Sequence, residues 1–598
     1  MANYLPPTRD MRFILDHVVD FAALAELDVF AEATPDVVGA VIEEAGRLAA
    51  EVVAPLNVVG DQQGSVLENG MVRTPPGFRE AYQAYAEGGW NGLAFAPAYG
   101  GQGLPGTLAV IVGEMLNSAN MAFALCPMLN GGAVEALTAH GSPEIKERYL
   151  EKLISGDWTG TMNLTEPQAG SDVGAMRTKA EPAGGGAYHI TGQKIFITYG
   201  DHDFTDNIIH LVLARLPGAP DGTRGISLFV VPKFLVNDDG SLGARNDVRV
   251  VSLEHKLGIH ASPTCVMAFG DEGACIGHLV GEENKGMRAM FTMMNNARLN
   301  VGVQGVAVAE RAWQAALDYA RERRQGRAIG RTEPGPSPIV DHADVRRMLM
   351  TMKANIEAAR ALAYWNAVAL DFGHHHPDAA ERAHYERLAG LLTPLTKAWG
   401  SDLGVELASL AVQIHGGMGF IEETGVAQFY RDARIAPIYE GTNGIQALDL
   451  VMRKLSLDGG EALRALLGDI TSFAAGLPDD GALGAIKRPL AAAAEAVGAA
   501  SRWLGEQLAG DVAAAAAGAT PYLRMLATTV GGFLLAKGAL AASALHGEDG
   551  ADNAFLEARI VTARFFAEQI LSQVPALAAQ VTAGEQMLFA LDPEQLAV

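Results

Sequence analysis

Ile435-Ala436-Pro437-Ile438-Tyr439-Glu440-Gly441-Thr442-Asn443-Gly444-Ile445-Gln446 sets a single carboxylate between an apolar approach and a Gly-Thr-Asn-Gly turn, at an expected helix start. A glutamate in such a turn is ordinarily a solvated cap. Here Arg431, Asp432 and Arg434 precede it, and Gln413-Ile414-His415-Gly416-Gly417-Met418-Gly419-Phe420 lies upstream. That framing singles out Glu440.

Around this turn the chain runs to 598 residues, too long for one hydrophobic core, and its size implies about three to five domains. Apolar residues make up 49% and charged residues 19%, the composition of a folded globular protein and not of a disordered one. A formal charge of -24 argues against a nucleic-acid partner, because a phosphate backbone needs a basic face. Cys126, Cys265 and Cys275 show no CxxC or Cys/His metal spacing and cannot all pair with one another, so they read as reduced structural thiols in a cytoplasmic protein. The segment Met1 to Asp10 lacks the basic and apolar blocks of a signal peptide. The most apolar long window, Met525 to Leu545, contains Lys537 and several small residues, so a buried helix is expected there and no membrane insertion.

Periodicity divides the chain. Residues 1-157 read as helical, with Pro35 to Ala45 at helical spacing and Ser142-Pro143-Glu144 as a capped helix start. Over 158-285 the pattern turns to short β-branched and aromatic runs separated by Gly, Asp and Pro: Tyr188 to Gly192, Lys194 to Thr198, Ile208 to Ala214, Ile226 to Val231 and Val248 to Leu253. An antiparallel sheet or small barrel is expected. Over 286-455 helical periodicity returns in Leu299 to Arg324, His342 to Phe372 and Ala379 to His415. Residues 456-598 are rich in alanine and read as further helices, at Leu490 to Ala509, Tyr522 to Leu545 and Asn553 to Val574. The fold class is therefore α+β: helical, β, helical, and an extra helical domain.

Met162-Asn163-Leu164-Thr165-Glu166-Pro167-Gln168-Ala169-Gly170-Ser171-Asp172-Val173 opens the strand-rich region. A proline and small residues hold such a loop open, exposing backbone N–H groups and two hydroxyls that can bind a carbonyl-rich heterocycle or a phosphate. Taken with the Glu440 turn, it resembles the Thr-Glu-Pro-x-Ala-Gly-Ser-Asp signature of the acyl-CoA dehydrogenases. The resemblance covers about residues 35 to 455. The N-terminal extension and the tail resemble the larger bacterial branch, which includes long-chain and methylmercaptopropionyl-CoA dehydrogenases. The resemblance implies that Met162, Leu164, Thr165, Gly170 and Ser171 lie along the flavin ring and pyrophosphate of FAD. Gly192 to Thr198 resembles the family's Gly-x-Lys-x-Trp-Ile-Thr strand, giving Phe196, Ile197 and Thr198 as further FAD contacts. Phe196 replaces the family's tryptophan, keeping the apolar face and losing the indole N–H.

Arg298 resembles the arginine that opens the family's C-terminal bundle. Some members carry their base at the preceding position, which here is Ala297, so Glu440 is the expected catalytic base. By the same resemblance Ser171, Asn295, Arg298, Tyr439 and Gly441 are expected at the substrate, and Thr442 and Asn443 at FAD. Arg321 to Arg327 would ordinarily be a solvated helix end. It resembles the family's segment that reaches a neighbouring subunit's FAD, through Arg323 and Gln325, although Gly326-Arg327 stands where Phe-Gly is usual. Gln413, Gly416 and Gly417 are expected at the same partner FAD, across a homodimer.

In the family the glutamate takes the α-proton of an acyl-CoA while a hydride leaves Cβ for flavin N5, giving a trans-2-enoyl-CoA. Hydrogen bonds to the thioester oxygen stabilise the enolate, one such donor being worth about 3–4 kcal/mol. An electron-transfer flavoprotein would then reoxidise the FAD. Two alternatives stay open: an oxidase that lets O2 reach the flavin, and a non-catalytic flavoprotein on the same fold. Two other motifs are set aside. Gly101 to Gly106 fits GxGxxG but contains Pro105 and lacks the acidic partner of a Rossmann turn. His374-His375-His376 precedes a proline at an expected helix end, poor geometry for one metal ion, so no metal site is expected.

Overall fold

The computed structural model describes residues 3–598; Met1 and Ala2, at the head of the N-terminal segment read above, lie outside the described residues. The chain forms two compact units, Pro35–Asn300 and Met1–Thr34 with Val301–Val598.

The Pro35–Asn300 unit is built on a sheet whose strands include Trp158–Asn163, Ala187–Thr198, Asn207–Arg215, Ile226–Pro232 and Thr264–Phe269. Asn207–Arg215 is buried along nearly its whole length because both faces are covered. Ile209, Leu211 and Leu213 enter one apolar cluster, and Val212 and Ala214 enter the other. Each buried Val, Leu or Ile among them contributes about 1.5–3 kcal/mol, which holds the sheet rigid. Pairing is mostly antiparallel as expected, but Trp158–Asn163 runs parallel to Asn207–Arg215, with Met162 opposite Leu211, and Lys179 pairs in parallel with Arg215. The strand that leads into the Thr165 loop is thereby anchored on a deeply buried strand. The N-terminal part of this unit is helical, with the long helix Gly106–His140 at its centre, but it also holds a hairpin, Val66–Glu68 with Met71–Arg73. Asn69 and Gly70 turn it with φ of 52° and 76°, the left-handed pair that a tight hairpin turn requires.

In the second unit the helices Ala343–His375 and Ala379–His415 pack beside the part of Gly286–Glu322 that follows Asn300. Glycines bring two of these backbones together. A Cβ on Gly305 would lie 2.0 Å from the Gly400 carbonyl oxygen, and one on Gly302 would lie 2.3 Å from that of Thr396. No side chain fits there, so the Ala379–His415 helix sits close against its neighbour. The tail helices Gly481–Gly510, Ala519–Leu545 and Asn553–Gln569 appear where alanine-rich periodicity placed them. A buried ionic network ties the tail to both ends of this unit. Arg559 reaches Glu357 at 3.0 Å and Asp10 at 3.3 Å, while fully buried Arg360 reaches Glu310 at 2.8 Å. Gly106–His140 and Ala519–Leu545 are long and apolar enough to cross a membrane, yet 89% and 83% of their apolar windows are buried.

Candidate active site

The expected residues fall into two sets, one in each unit. In the Pro35–Asn300 unit, the Thr165 carbonyl accepts from the Ile195 N–H at 2.9 Å, which lays the loop against the Phe196 strand. Glu166 fastens the loop from behind. Its buried carboxylate accepts from Lys194 Nζ at 2.8 Å, from the N–H groups of Arg177 at 2.6 Å and Thr178 at 3.1 Å, and from Thr178 Oγ1 at 2.6 Å. Burial pushes this carboxyl up, but the Lys194 charge and these hydrogen bonds outweigh it and hold the group at about 2. Met162, Leu164, Thr165 and Thr198 stay partly exposed in front of this buried support, and Gly170 and Ser171 are exposed.

Phe196 is the clearest departure from an ordinary strand. Cys265 pairs with Ile197 and Met267 with Lys194, so Ile195 and Phe196 together oppose a single residue. This bulge gives Phe196 a φ of 59° and turns its ring outward, 58% exposed. A left-handed aromatic costs on the order of 1–3 kcal/mol and persists where its surroundings impose it, often at ligand sites. Ile197 points the other way into the core, which leaves only its backbone for a ligand. Among the remaining expected residues of this unit, Asn295 is exposed and the Arg298 guanidinium lies 5.9 Å over the Phe291 ring.

The second unit carries Glu440 in a left-handed conformation, φ 56°. The turn around it is fastened at several points. Asn443 N–H donates to the Pro437 carbonyl at 3.0 Å, Thr442 Oγ1 accepts from Ile445 N–H at 3.2 Å as the cap of helix Asn443–Asp449, and Gln446 Nε2 donates to the Glu440 carbonyl at 3.3 Å. Tyr439 donates its hydroxyl to Gln304 Oε1, and burial together with the Glu440 charge pushes its phenol well above the ordinary range. Lys397, fully buried on the Ala379–His415 helix, donates to the Gly441 carbonyl at 2.7 Å and to Asn443 Oδ1 at 2.8 Å. The Asn443 amide is thus committed to its own chain, so a cofactor contact there would fall to its backbone.

Tyr319 stacks on His415 with ring centroids 4.4 Å apart, which brings the ends of their two helices together. Exposed Arg323 and Gln325 therefore lie on the same region as exposed Gln413, Gly416 and Gly417. Ile329 and Phe420 are also exposed, at 105% and 87%.

Sequence reading did not single out Lys397 or Gln304. A signal was available for Lys397, the one charge in the otherwise uncharged run Leu391 to Gly400. Gln304 carries no such mark.

The residues present suit a flavin nucleotide: an outward aromatic ring, partly exposed hydroxyls, and a Gly170 that could hold a Cβ without touching anything within 4 Å. Among the described residues there is no cluster of metal-ligating side chains. Models of the acyl-CoA dehydrogenase N-terminal, middle and C-terminal domains match residues 39–157, 161–271 and 284–455, and an acetyl-CoA dehydrogenase C-terminal-like model matches 466–592. The chain belongs to the acyl-CoA dehydrogenase family. It is an FAD-dependent oxidoreductase acting on acyl-CoA. It is 48% identical over 592 residues to the 3-methylmercaptopropionyl-CoA dehydrogenase of Ruegeria pomeroyi, covering 98% of this chain and 100% of that one. It is 37% identical to a butyryl-CoA dehydrogenase of Syntrophomonas wolfei, covering 96% of each. An acyl-CoA dehydrogenase from Bacillus anthracis, solved with FAD, shares the fold with a TM-score of 0.75 at 20% identity, covering 98% of this chain and 93% of that one.

Proposed function

We propose that Glu440 is the base that removes the α-proton of a short acyl-CoA thioester, giving the trans-2-enoyl-CoA. The observation that carries this is the Glu440 turn, a carboxylate held at a left-handed φ by a buried lysine, a capped helix and a glutamine. Ala297 leaves no carboxylate at the family's alternative position. Glu440 takes the proton from Cα, the bonding pair becomes the Cα–Cβ double bond, and Cβ loses a hydride. FAD, when bound, supplies the acceptor for that hydride. Met162, Leu164, Thr165, Gly170, Ser171, Phe196 and Thr198 would hold it by side chain or backbone, and Thr442 and the Asn443 backbone would add contacts.

A short acyl group is favoured because the full-length relatives named above act on 3-methylmercaptopropionyl-CoA and butyryl-CoA. Electrons would pass to an electron-transfer flavoprotein. The exposed Ile329 and Phe420, beside Arg323, Gln325 and Gln413, favour a second copy of the chain as the partner that completes each FAD site.

The test is Glu440→Gln, which keeps size and one acceptor oxygen but cannot take a proton. Loss of a general base costs ~10²–10⁴-fold. The variant should stay yellow, bind enoyl-CoA and fail to bleach anaerobically with acyl-CoAs from propionyl to palmitoyl, methylmercaptopropionyl included. Bleaching at nearly the wild-type rate would remove Glu440 from the role.

A further inference from the structure

Lys397 lies on an uncharged stretch of the Ala379–His415 helix with no exposed surface, a costly place for an ammonium group. Two of its hydrogen bonds reach the turn that carries Glu440. One goes to the carbonyl of Gly441, the residue after Glu440, and one to the side chain of Asn443, the first residue of the next helix.

Asn443 is then gripped from its other end. Its Nδ2 donates to Asp402 Oδ1 at 2.6 Å, to Ser401 Oγ at 3.0 Å and to the Ala398 carbonyl at 3.1 Å, while Ser401 Oγ donates to Asn443 Oδ1 at 3.2 Å. Lys397, Ala398, Ser401 and Asp402 occupy successive turns of one helix face. The close approach at Gly302, Gly305, Gly400 and Gly404 fixes that helix along the same stretch. A left-handed glutamate relaxes unless its neighbours forbid it. The groups bonded to Gly441 and Asn443 oppose that relaxation here, together with Gln446 on the Glu440 carbonyl.

We propose that Lys397 is a positioning residue for the Glu440 carboxylate, acting through Gly441 and Asn443. The proposal rests on the reading of Glu440 as the base. Lys397 does not itself touch the reacting atoms. It holds the carboxylate in the one orientation from which a proton can be taken.

The experiment compares FAD-loaded full-length wild type, Lys397→Met, Asn443→Ala and Glu440→Gln, using anaerobic bleaching by butyryl-CoA with and without α-deuteration. Misplacing a reacting group by about 1 Å can cost ~10²-fold. Lys397→Met should bleach ~10²-fold more slowly, with an enlarged α-deuterium isotope effect and an apparent dissociation constant for butyryl-CoA within about threefold of wild type. A merely structural lysine would lower the melting temperature and leave the isotope effect alone. If Lys397→Met does not fold, Asn443→Ala, which introduces no charge change, is read the same way. Wild-type bleaching in a folded, FAD-loaded Lys397→Met or Asn443→Ala, beside a dead Glu440→Gln, overturns the positioning role alone. Wild-type bleaching in Glu440→Gln overturns the base assignment and the positioning role with it.

Discussion

Lys194 and Glu166 face each other at 2.8 Å with side chains 0% and 3% exposed. The Coulomb attraction of such a pair is largely offset by the desolvation of both charges, so its value lies in the geometry it imposes. Lys194 also donates to the Leu164 carbonyl at 3.1 Å, and Glu166 gathers the backbone of Arg177 and Thr178. One buried pair thus fixes both ends of the loop expected to lie along the flavin. The family signature carries a Thr-Glu-Pro run here, and the glutamate is the part of it that faces inward.

Lys194→Met is expected to destabilise the protein by about 3–5 kcal/mol, because it leaves Glu166 charged, buried and short of its main partner. Lys194→Met combined with Glu166→Gln should recover part of that loss. Urea denaturation checks the order, and FAD content should fall in the single variant before the fold does. An unchanged midpoint for Lys194→Met would show that the pair does not hold the loop.

Acid should weaken the fold through buried histidines. Burial, with Lys233 and Arg245 nearby, pushes the His210 imidazole down to about 3, and His202 is shifted the same way by burial. Thr161 Oγ1 and Thr159 Oγ1 hold these rings at 2.9 Å and 2.8 Å. The unfolded chain protonates both near 6.5 while the folded chain does not. Below that pH the unfolded state binds more protons, and stability falls by up to about 1.4 kcal/mol per pH unit for each histidine. The loss for His210 continues toward pH 3, and above 6.5 the contribution is complete. Thermal midpoints measured from pH 7.5 down to about 5 should drop more steeply in wild type than in His210→Asn. Equal slopes would show that His210 carries none of the acid sensitivity.

Much of this architecture is legible in the sequence because it is set by periodicity. Ala379 to His415 reads as one helix and is one helix, and Lys194 to Thr198 lies within the strand Ala187–Thr198. What escaped has identifiable causes. The hairpin at Asn69-Gly70 carries the strongest short-range turn signal there is, but it is embedded in a helical region and pairs only three residues on each strand. The bulge at Phe196 has no local signature, since it is set by the register against Thr264–Phe269. The parallel pairing of Trp158–Asn163 is likewise a tertiary choice. At the Glu440 turn the sequence marks the acid but not its support, because Lys397 comes from a helix distant in sequence.

The tail should prove structural. Its helix Ala519–Leu545 places Gly531 where a Cβ would meet the Trp399 ring at 2.7 Å, and Arg524 forms a two-pronged ion pair with Glu406 at 2.6 and 2.9 Å. Ending the chain at Leu455 would uncover that apolar face and strip Arg559 from Glu357. The expected outcome is an aggregating protein, read by size-exclusion chromatography. A well-dispersed, fully active truncated enzyme would contradict it.

Phe196 allows stability and cofactor binding to be pulled apart. Its φ of 59° suits glycine, and its ring is 58% exposed, so the fold gains little from the side chain. Phe196→Gly removes the left-handed penalty but gives the unfolded chain more freedom, and the balance should leave the apoprotein as stable as wild type or up to about 1 kcal/mol more so. The same change deletes the outward ring at the bulge, so FAD should dissociate at least ~10-fold more readily, in line with the roughly 1.4 kcal/mol or more that a buried aromatic contact is worth. Phe196→Trp should bind FAD at least as tightly as wild type, since it adds ring area and restores the residue usual in the family. Thermal unfolding of apoprotein and flavin fluorescence on dilution of holoprotein measure the two quantities separately. If Phe196→Gly unfolds earlier yet keeps its FAD, the outward ring serves the sheet and not the cofactor.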